Sequence, residues 1–159
     1  MQKFKIIPLS EHYAATLRRI QKDAFGYTVT EQIATGKGPC RVSLQPFIPG
    51  EDVRLLFSYS PFEKNNAFNQ PGPIFIHKKE VEAYKDIHHF PPAIKADTKN
   101  FPLTLIGYSS NQQMVFSQLV GNADIDQLIP EIFEAQPTIA YLHARNAEAG
   151  CFICSIKRA

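Results

Sequence analysis

Apolar and polar residues alternate over several short runs of the chain, which is the period expected of strands with one buried face. From Val53 to Tyr59 every second residue is apolar or aromatic, and residues 41–44 alternate in the same way. A Pro-Gly pair at residues 49–50 separates the two runs and favours a turn. We therefore predict that these runs pair as antiparallel strands.

Two later parts of the chain repeat this arrangement of strand, polar turn and strand. Residues 103–108 and 114–120 flank a short polar segment, and residues 138–145 and 151–157 flank the five residues 146–150. Each arrangement predicts a β-hairpin.

The middle of the chain is less regular. Residues 61–72 are rich in Asn, Pro and Phe and have no period, so they predict a loop. Residues 74–77 predict a short apolar strand. Residues 80–88 predict a weak helix that the prolines at 91–92 must end.

A period of 3.6 residues predicts two amphipathic helices. The first spans residues 10–25, with Ser10 as its N-cap. Its apolar stripe consists of Tyr13, Leu17, Ile20 and Ala24. The second spans residues 126–135, a start that leaves Pro130 near the first turn, where a proline is tolerated.

Together these elements predict a single α+β domain over residues 1–159. We expect a mostly antiparallel sheet of about six or seven strands, with both amphipathic helices packed on one face. The length suits one hydrophobic core.

Charge, apolar content and cysteine count bear on the binding partners and the cellular compartment of the protein. Seventeen Lys and Arg balance fifteen Asp and Glu, and the basic pairs are scattered, so nucleic-acid binding is not favoured. No apolar run is long enough for a signal peptide or a membrane span. Three cysteines cannot form a full disulfide framework. We expect a soluble cytoplasmic protein with free thiols.

The terminal hairpin shows the clearest division into two faces. One face is apolar and holds Ala140, Leu142, Ala144, Phe152, Cys154 and Ile156. The other holds Tyr141, His143, Arg145, Cys151, Ile153 and Ser155. In a symmetrical register Arg145 lies opposite Cys151, and His143 lies diagonal to it. A guanidinium and an imidazole would depress the pKa of the thiol, as a nucleophile requires. Cys151 and His143 are therefore candidate catalytic residues, and the alternative is a half-buried cysteine on a polar sheet face.

Several polar residues are candidates for binding a small anionic metabolite. Arg41 is planar and permanently charged, which suits a carboxylate or a phosphate. The candidate ligand-binding residues are Arg41, Ser43, His77, Tyr108, Arg145 and Asn146. The alternative is that Arg41 and Arg145 pair with surface acids such as Glu51 and Glu148, where ion pairs are common and weak.

The spacing of Cys151 and Cys154 also permits a zinc site completed by Cys40 and His143. Alternation argues against it, because two thiols three residues apart in a strand point to opposite faces. We therefore predict no metal and no other cofactor. The sequence also lacks the motifs of a phosphate-binding loop, a serine-hydrolase elbow and a zinc-protease helix.

Four segments together resemble the bacterial domain-of-unknown-function family 1203. They are residues 39–44, 49–51 and 72–77, and the pattern Tyr-Leu-His-x-x-Asn-Ala-x-x-Gly-Cys at 141–151. The resemblance covers nearly the whole chain and implies a small single-domain protein, without implying a reaction or a cofactor. It draws attention to Cys40, Arg41, Ser43, His143, Asn146 and Cys151. Other members often have a second histidine in place of Arg145, and Cys154 is not part of the pattern.

Three functions follow as expectations. The first is a protein or enzyme that binds a small anionic metabolite on the polar sheet face. The second is a non-catalytic interaction module that docks a protein partner through that face or through the aromatic loop at 62–68. The third is a structural zinc domain.

Overall fold

The structure is a computed structural model that describes residues 3–64 and 66–159. Asn65, in the predicted loop 61–72, lies outside the described residues. Over the described residues the chain forms eight strands and three helices. In chain order they are β1 (Phe4–Ile7), α1 (Glu11–Ile20), β2 (Thr30–Ile33), β3 (Val53–Tyr59), β4 (Gly72–His77), α2 (Pro92–Lys95), β5 (Leu103–Tyr108), β6 (Met114–Leu119), α3 (Ile125–Ala135), β7 (Tyr141–Asn146) and β8 (Phe152–Arg158).

The strands divide between two sheets. One has five strands in the order β1-β8-β7-β5-β6, and the other has three in the order β2-β3-β4. All of the paired strands are antiparallel. The predicted α+β class, the antiparallel pairing and both hairpins, β5–β6 and β7–β8, are confirmed. The expected single sheet of six or seven strands is replaced by two sheets.

The helix α1 packs on the three-stranded sheet. Its N-cap is Ser10, as predicted, and the Ser10 hydroxyl accepts the N–H of Tyr13 at 3.0 Å. The helix ends five residues earlier than predicted, because Gln21 turns left-handed at φ 61° and its N–H bonds the carbonyl of Leu17. Ala14 and Leu17 are its buried residues and belong to the same core as β3 and β4.

The helix α3 packs instead on the five-stranded sheet, where its apolar face joins residues of β5, β7 and β8. It begins at Ile125, because the Asp124 carboxylate accepts the N–H of Asp126 at 3.1 Å. Pro130 lies in the second turn and cannot donate to the carbonyl of Asp126. The expectation that both helices cover one face of one sheet is therefore wrong.

Residues 41–44 form a turn rather than the predicted strand. The N–H of Leu44 bonds the carbonyl of Cys40 at 2.8 Å, and Leu44 has φ 54°. The strand that pairs with β3 on this side is β2, whose mainly exposed residues gave no clear apolar alternation. The two apolar side chains of this turn enter different cores. Val42 packs with the three-stranded sheet, and Leu44 packs with the five-stranded sheet.

The predicted helix at 80–88 is absent. Its backbone groups bond other parts of the chain, since the carbonyl of Ile87 accepts the N–H of Ile6 and the N–H of Tyr84 bonds the carbonyl of Val42. The one-turn helix α2 follows after the prolines instead. Within residues 3–64 and 66–159, no helix combines the length and the apolar character needed to cross a membrane.

Candidate functional site

The site is built on the β7–β8 hairpin, whose register differs from the symmetrical one expected. Ala144 lies opposite Cys154, and a bulge then places Arg145 opposite Phe152. Because a bulge inserts one extra residue, it reverses which side chains face which side. Phe152 consequently joins the face of His143, with ring centroids 4.9 Å apart, and Ile153 enters the core. The predicted positions of these two residues are wrong.

The rest of the apolar face predicted for this hairpin is present except at Ala140, which is exposed and precedes β7, while Ile139 enters the core instead. Leu142 pairs with Ile156, Ala144 pairs with Cys154, and all four are buried in the core beneath α3. Burial raises the pKa of the Cys154 thiol to about 12, so Cys154 is a packed neutral thiol.

The opposite face of β5 and β7 is polar, as predicted, but it is buried rather than open to solvent. Tyr108 and His143 are fully buried, and their ring centroids lie 4.8 Å apart. Phe62, from the loop after β3, covers both rings at 5.0 Å from each. Arg145 is 5% exposed. The structure thus brings together the predicted residues Tyr108, His143 and Arg145 in an interior polar cluster.

Several polar atoms of this cluster have no hydrogen-bond partner among the described residues. They are the hydroxyls of Tyr108 and Tyr141, both ring nitrogens of His143, and Nε and Nη2 of Arg145. Tyr108 and Arg145 interact electrostatically, although no hydrogen bond of ordinary length joins them. A buried polar group without a partner costs about 1–3 kcal/mol. Such a concentration in one place is typical of a site that holds a further group.

Burial determines the charge states in the cluster. It lowers the pKa of His143 to about 3, with the positive charge of Arg145 acting in the same direction, so the imidazole is neutral. Burial raises the pKa of Tyr141 to about 12, with Tyr108 adding to the effect. Burial also lowers the pKa of Arg145, but an arginine still carries its charge at neutral pH.

A second guanidinium is buried next to this cluster. Arg41 is 1% exposed, its Nε donates to the carbonyl of Phe152 at 2.7 Å, and its Nη1 donates to the carbonyl of Pro39. Burial lowers the pKa of Arg41, and the nearby Cys151 thiol opposes that effect by charge and hydrogen bonding. Cys151 also interacts with Arg145. The half-exposed thiol of Cys151 therefore lies within electrostatic reach of both guanidinium groups.

Neither guanidinium has a carboxylate partner in the described part of the chain. No ion pair of the residues that the structure describes involves Arg41 or Arg145. Arg145 donates through Nη1 to the carbonyl of Gly150 at 3.0 Å, a neutral acceptor. The alternative in which the two arginines pair with Glu51 and Glu148 is not realised in this part of the chain.

The expected proximity of Cys151 to His143 is not found. The N–H of Asn146 bonds the carbonyl of Cys151 at 3.0 Å, which places Cys151 beside Asn146, three residues along β7 from His143. Three residues of a strand span roughly 10 Å, too far for a hydrogen bond between the two side chains. The two side chains are separated because the bulge shifts the register of β7 and β8 from the symmetrical register expected.

The side chains of the other predicted ligand-binding residues make other contacts. The Asn146 side-chain oxygen accepts the N–H groups of Glu148 and Ala149 and so organises the hairpin loop. His77 and Ser43 both contact Cys40 in a second cluster beside the three-stranded sheet. Among the described residues, no group of three His, Cys, Asp or Glu side chains could hold a metal ion. The zinc alternative therefore lacks a ligand set there.

A groove opens beside the interior polar cluster, with a volume of about 470 Å³. Tyr141 and Phe152 line it and also contact His143, so they separate the groove from the cluster. Lys64, Lys157 and Ser155 add polar groups to its walls.

Sequence reasoning missed the contribution of Phe62 and Tyr141 to this site. Alternation placed Tyr141 on the polar face, but it could not show that a loop would return to cover that face. Phe62 lies in a segment without any period, and only its aromatic character marked it.

Comparison with known proteins identifies a family for this chain but no reaction. No curated protein and no solved structure matched the chain. A family model described as "Protein of unknown function (DUF1203)" matches residues 37–158. That match includes Arg41, Arg145, Cys151 and all strands from β3 to β8. The chain therefore belongs to family DUF1203, as its sequence motifs indicated.

Proposed function

We propose that this protein binds a small anionic metabolite, a carboxylate or a phosphate, where Arg41 and Arg145 approach Cys151. One observation carries the proposal, namely two buried guanidinium groups that have no carboxylate partner among residues 3–64 and 66–159. Burying an unpaired charge is costly, and an arginine cannot escape that cost by losing its proton. An anion held between the two groups would neutralise them.

Arg145 has the donors that such an anion needs. Its Nε and Nη2 are buried and have no hydrogen-bond partner among the described residues, whereas Nη1 donates to the carbonyl of Gly150. Nε and one Nη form the edge of a guanidinium that binds two oxygens of a carboxylate or a phosphate side by side. Arg41 uses two of its donors on backbone carbonyls, so its role is to hold positive charge in place.

The surroundings favour a small molecule. The neighbouring groove of about 470 Å³ is large enough for a metabolite, although Tyr141 and Phe152 separate it from the guanidinium groups. Lys64 and Lys157 line this groove together with Glu63, which pairs with Lys157 at 4.0 Å. The buried hydroxyls of Tyr108 and Tyr141 offer further hydrogen bonds.

Binding is better supported than catalysis. Cys151 is the candidate nucleophile of this site, but His143 is neutral, fully buried and too distant to serve as its base. The interaction-module alternative is weakened, because Phe62, the expected aromatic contact of the docking loop, is packed inward against Tyr108.

Native mass spectrometry of protein purified gently from its own cells tests this proposal. We expect an added mass that disappears on denaturation and is lost in Arg145→Gln. Arg54→Gln is the matched control, since Arg54 is also 5% exposed but bonds Gln32 and Thr35 within the other half of the molecule.

A thermal-shift titration with inorganic phosphate and succinate complements it. Either anion should raise the Tm of the wild type and of Arg54→Gln, but not that of Arg145→Gln. A bare native mass together with no anion-dependent shift would overturn the proposal, and so would an equal shift in Arg145→Gln.

A further inference from the structure

A second cluster of reactive side chains lies at the start of the 41–44 turn, around Cys40. Its sulfur accepts the backbone N–H of His77 at 3.4 Å. Ser43, three residues along the chain, also interacts with the thiol and favours its charged form. The Cys40 side chain is completely buried. A sulfur that accepts several hydrogen bonds is surrounded as a thiolate would be.

The imidazole of His77 connects Cys40 to a carboxylate. Its Nε2 lies 3.5 Å from Oδ2 of Asp52, so Nδ1 is the nitrogen left for Cys40. This Nδ1 is buried and has no hydrogen-bond partner of ordinary length in residues 3–64 and 66–159, although His77 and Cys40 interact through their side chains. The ring is held by Phe47, whose centroid is 4.6 Å away. Asp52 is fixed in turn by the N–H of Ile48.

The charges of this cluster agree with its geometry. Burial alone would raise the pKa of Cys40, but the hydrogen bonds from His77 and Ser43 outweigh it and lower the pKa to about 7. The interaction with Cys40 raises the pKa of His77, with Asp52 adding to the effect and burial opposing it. Near neutral pH a large share of Cys40 is therefore thiolate, and the raised pKa of His77 favours the imidazolium beside it.

We propose that Cys40 is a peroxide-reactive cysteine, with His77 as its proton donor and Asp52 as the residue that orients His77. The reactant is hydrogen peroxide or a hydroperoxide of similar size, because Cys40 is fully buried and only a small reagent can reach it through brief local opening. This inference does not depend on the anion site.

The reaction is balanced within the cluster. The Cys40 thiolate attacks one peroxide oxygen, an S–O bond forms, and the O–O bond breaks. The departing hydroxide takes the proton of the His77 imidazolium and leaves as water. Cys40 is oxidised by two electrons to the sulfenic acid, and the peroxide is reduced by the same two electrons.

The experiment exposes the native protein briefly to hydrogen peroxide between pH 5.5 and 9 and stops the reaction with catalase. The protein is then unfolded in dimedone, which labels sulfenic acids, and peptide mass spectrometry locates the label. A parallel sample of native protein is treated with N-ethylmaleimide, a bulkier reagent.

We expect peroxide to mark Cys40 and maleimide to mark the half-exposed Cys151 but not Cys40. The rate at Cys40 should rise roughly fivefold from pH 6 to pH 7 as the thiol ionises at its pKa of about 7, and it should fall at higher pH as the His77 imidazolium loses its proton. In His77→Asn the midpoint of the rise should move to higher pH and the rate at pH 6.5 should fall. His89→Asn is the control, because His89 pairs with Asp86 at an exposed site.

The proposal is overturned if peroxide marks Cys151 while Cys40 stays reduced. It is also overturned if the rate at Cys40 keeps rising beyond pH 8.5, as for an ordinary thiol. The wild-type pH profile decides this point even if His77→Asn does not fold.

Discussion

His143 is an imidazole that the fold keeps uncharged. It is fully buried among Phe62, Tyr108 and Phe152, next to a guanidinium, and its pKa is about 3. In the unfolded chain its pKa returns to about 6.5. As the pH falls from about 6.5 to 3, the unfolded chain binds a proton that the folded protein does not bind. Acid therefore destabilises the folded state through this residue.

Replacing His143 should make the protein less sensitive to acid. Between pH 6 and pH 4 we expect the wild type to lose about 2 to 3 kcal/mol more unfolding free energy than His143→Asn. Urea unfolding at each pH measures this difference. His89→Asn is the control, because Asp86 raises the pKa of His89 and gives it the opposite effect. Parallel curves for the wild type and His143→Asn would contradict the assignment.

The strand β5 is closely packed at Gly107, where it pairs with both β6 and β7. A Cβ at this position would lie 2.8 Å from Cδ1 of Ile139 and 3.0 Å from Cβ of Phe116. A methyl group fits only if these neighbours move.

We therefore expect Gly107→Ala to destabilise the protein by about 1–3 kcal/mol. Gly72→Ala is the matched control, since a Cβ at Gly72, also in a strand, meets nothing within 4 Å. Denaturant unfolding of both variants is the measurement. Equal stability of the two variants would show that the sheet accommodates the methyl group.

The cap of α1 offers a second test at the scale of elements. The Ser10 hydroxyl satisfies the N–H of Tyr13, which has no partner inside the helix. Ser10→Ala should cost about 1 kcal/mol of unfolding free energy. Ser117→Ala, at an exposed position of β6, should change it by less than about 0.5 kcal/mol. A loss in both variants or in neither would argue against a specific role for the cap.

At the scale of the whole molecule, the 41–44 turn joins two hydrophobic cores. Val42 belongs to the core of the three-stranded sheet, and Leu44 belongs to that of the five-stranded sheet. Arg41 adds a direct link, because its N–H bonds Phe75 of β4 while its side chain bonds Phe152 of β8. These links suggest that the two sheets unfold together.

We expect a single unfolding transition for the wild type, with the same midpoint by far-UV circular dichroism and by tyrosine fluorescence. Arg41→Met should lower the unfolding free energy by about 2 to 5 kcal/mol, because the carbonyls of Phe152 and Pro39 lose their donor. Arg19→Met, on the exposed side of α1, is the control. Two separate transitions in the wild type would contradict the prediction of one domain.

Local sequence predicted those features that depend on neighbouring residues. The cap at Ser10 depends only on Tyr13, three residues further along the chain. One apolar face of the terminal hairpin follows from alternation within each strand, at Leu142, Ala144, Cys154 and Ile156. The two hairpins followed from turn residues between alternating runs. The family motifs were readable for the same reason, since they are patterns of adjacent residues.

Tertiary structure alone decided the rest. Polar and apolar residues alternate in 41–44 as they do in a strand. The segment nevertheless forms a turn, and its two apolar side chains pack in two different cores. The bulge beside Arg145 places Phe152 on the face of His143 and leaves Cys151 distant from His143. A period of two residues in the sequence cannot reveal such a bulge, because the bulge adds one residue to one strand only. The sequence by itself determined which strands form hairpins and which residues are polar. Whether that polar face would be open or buried depended on Phe62 and Arg41, which reach it from distant parts of the chain.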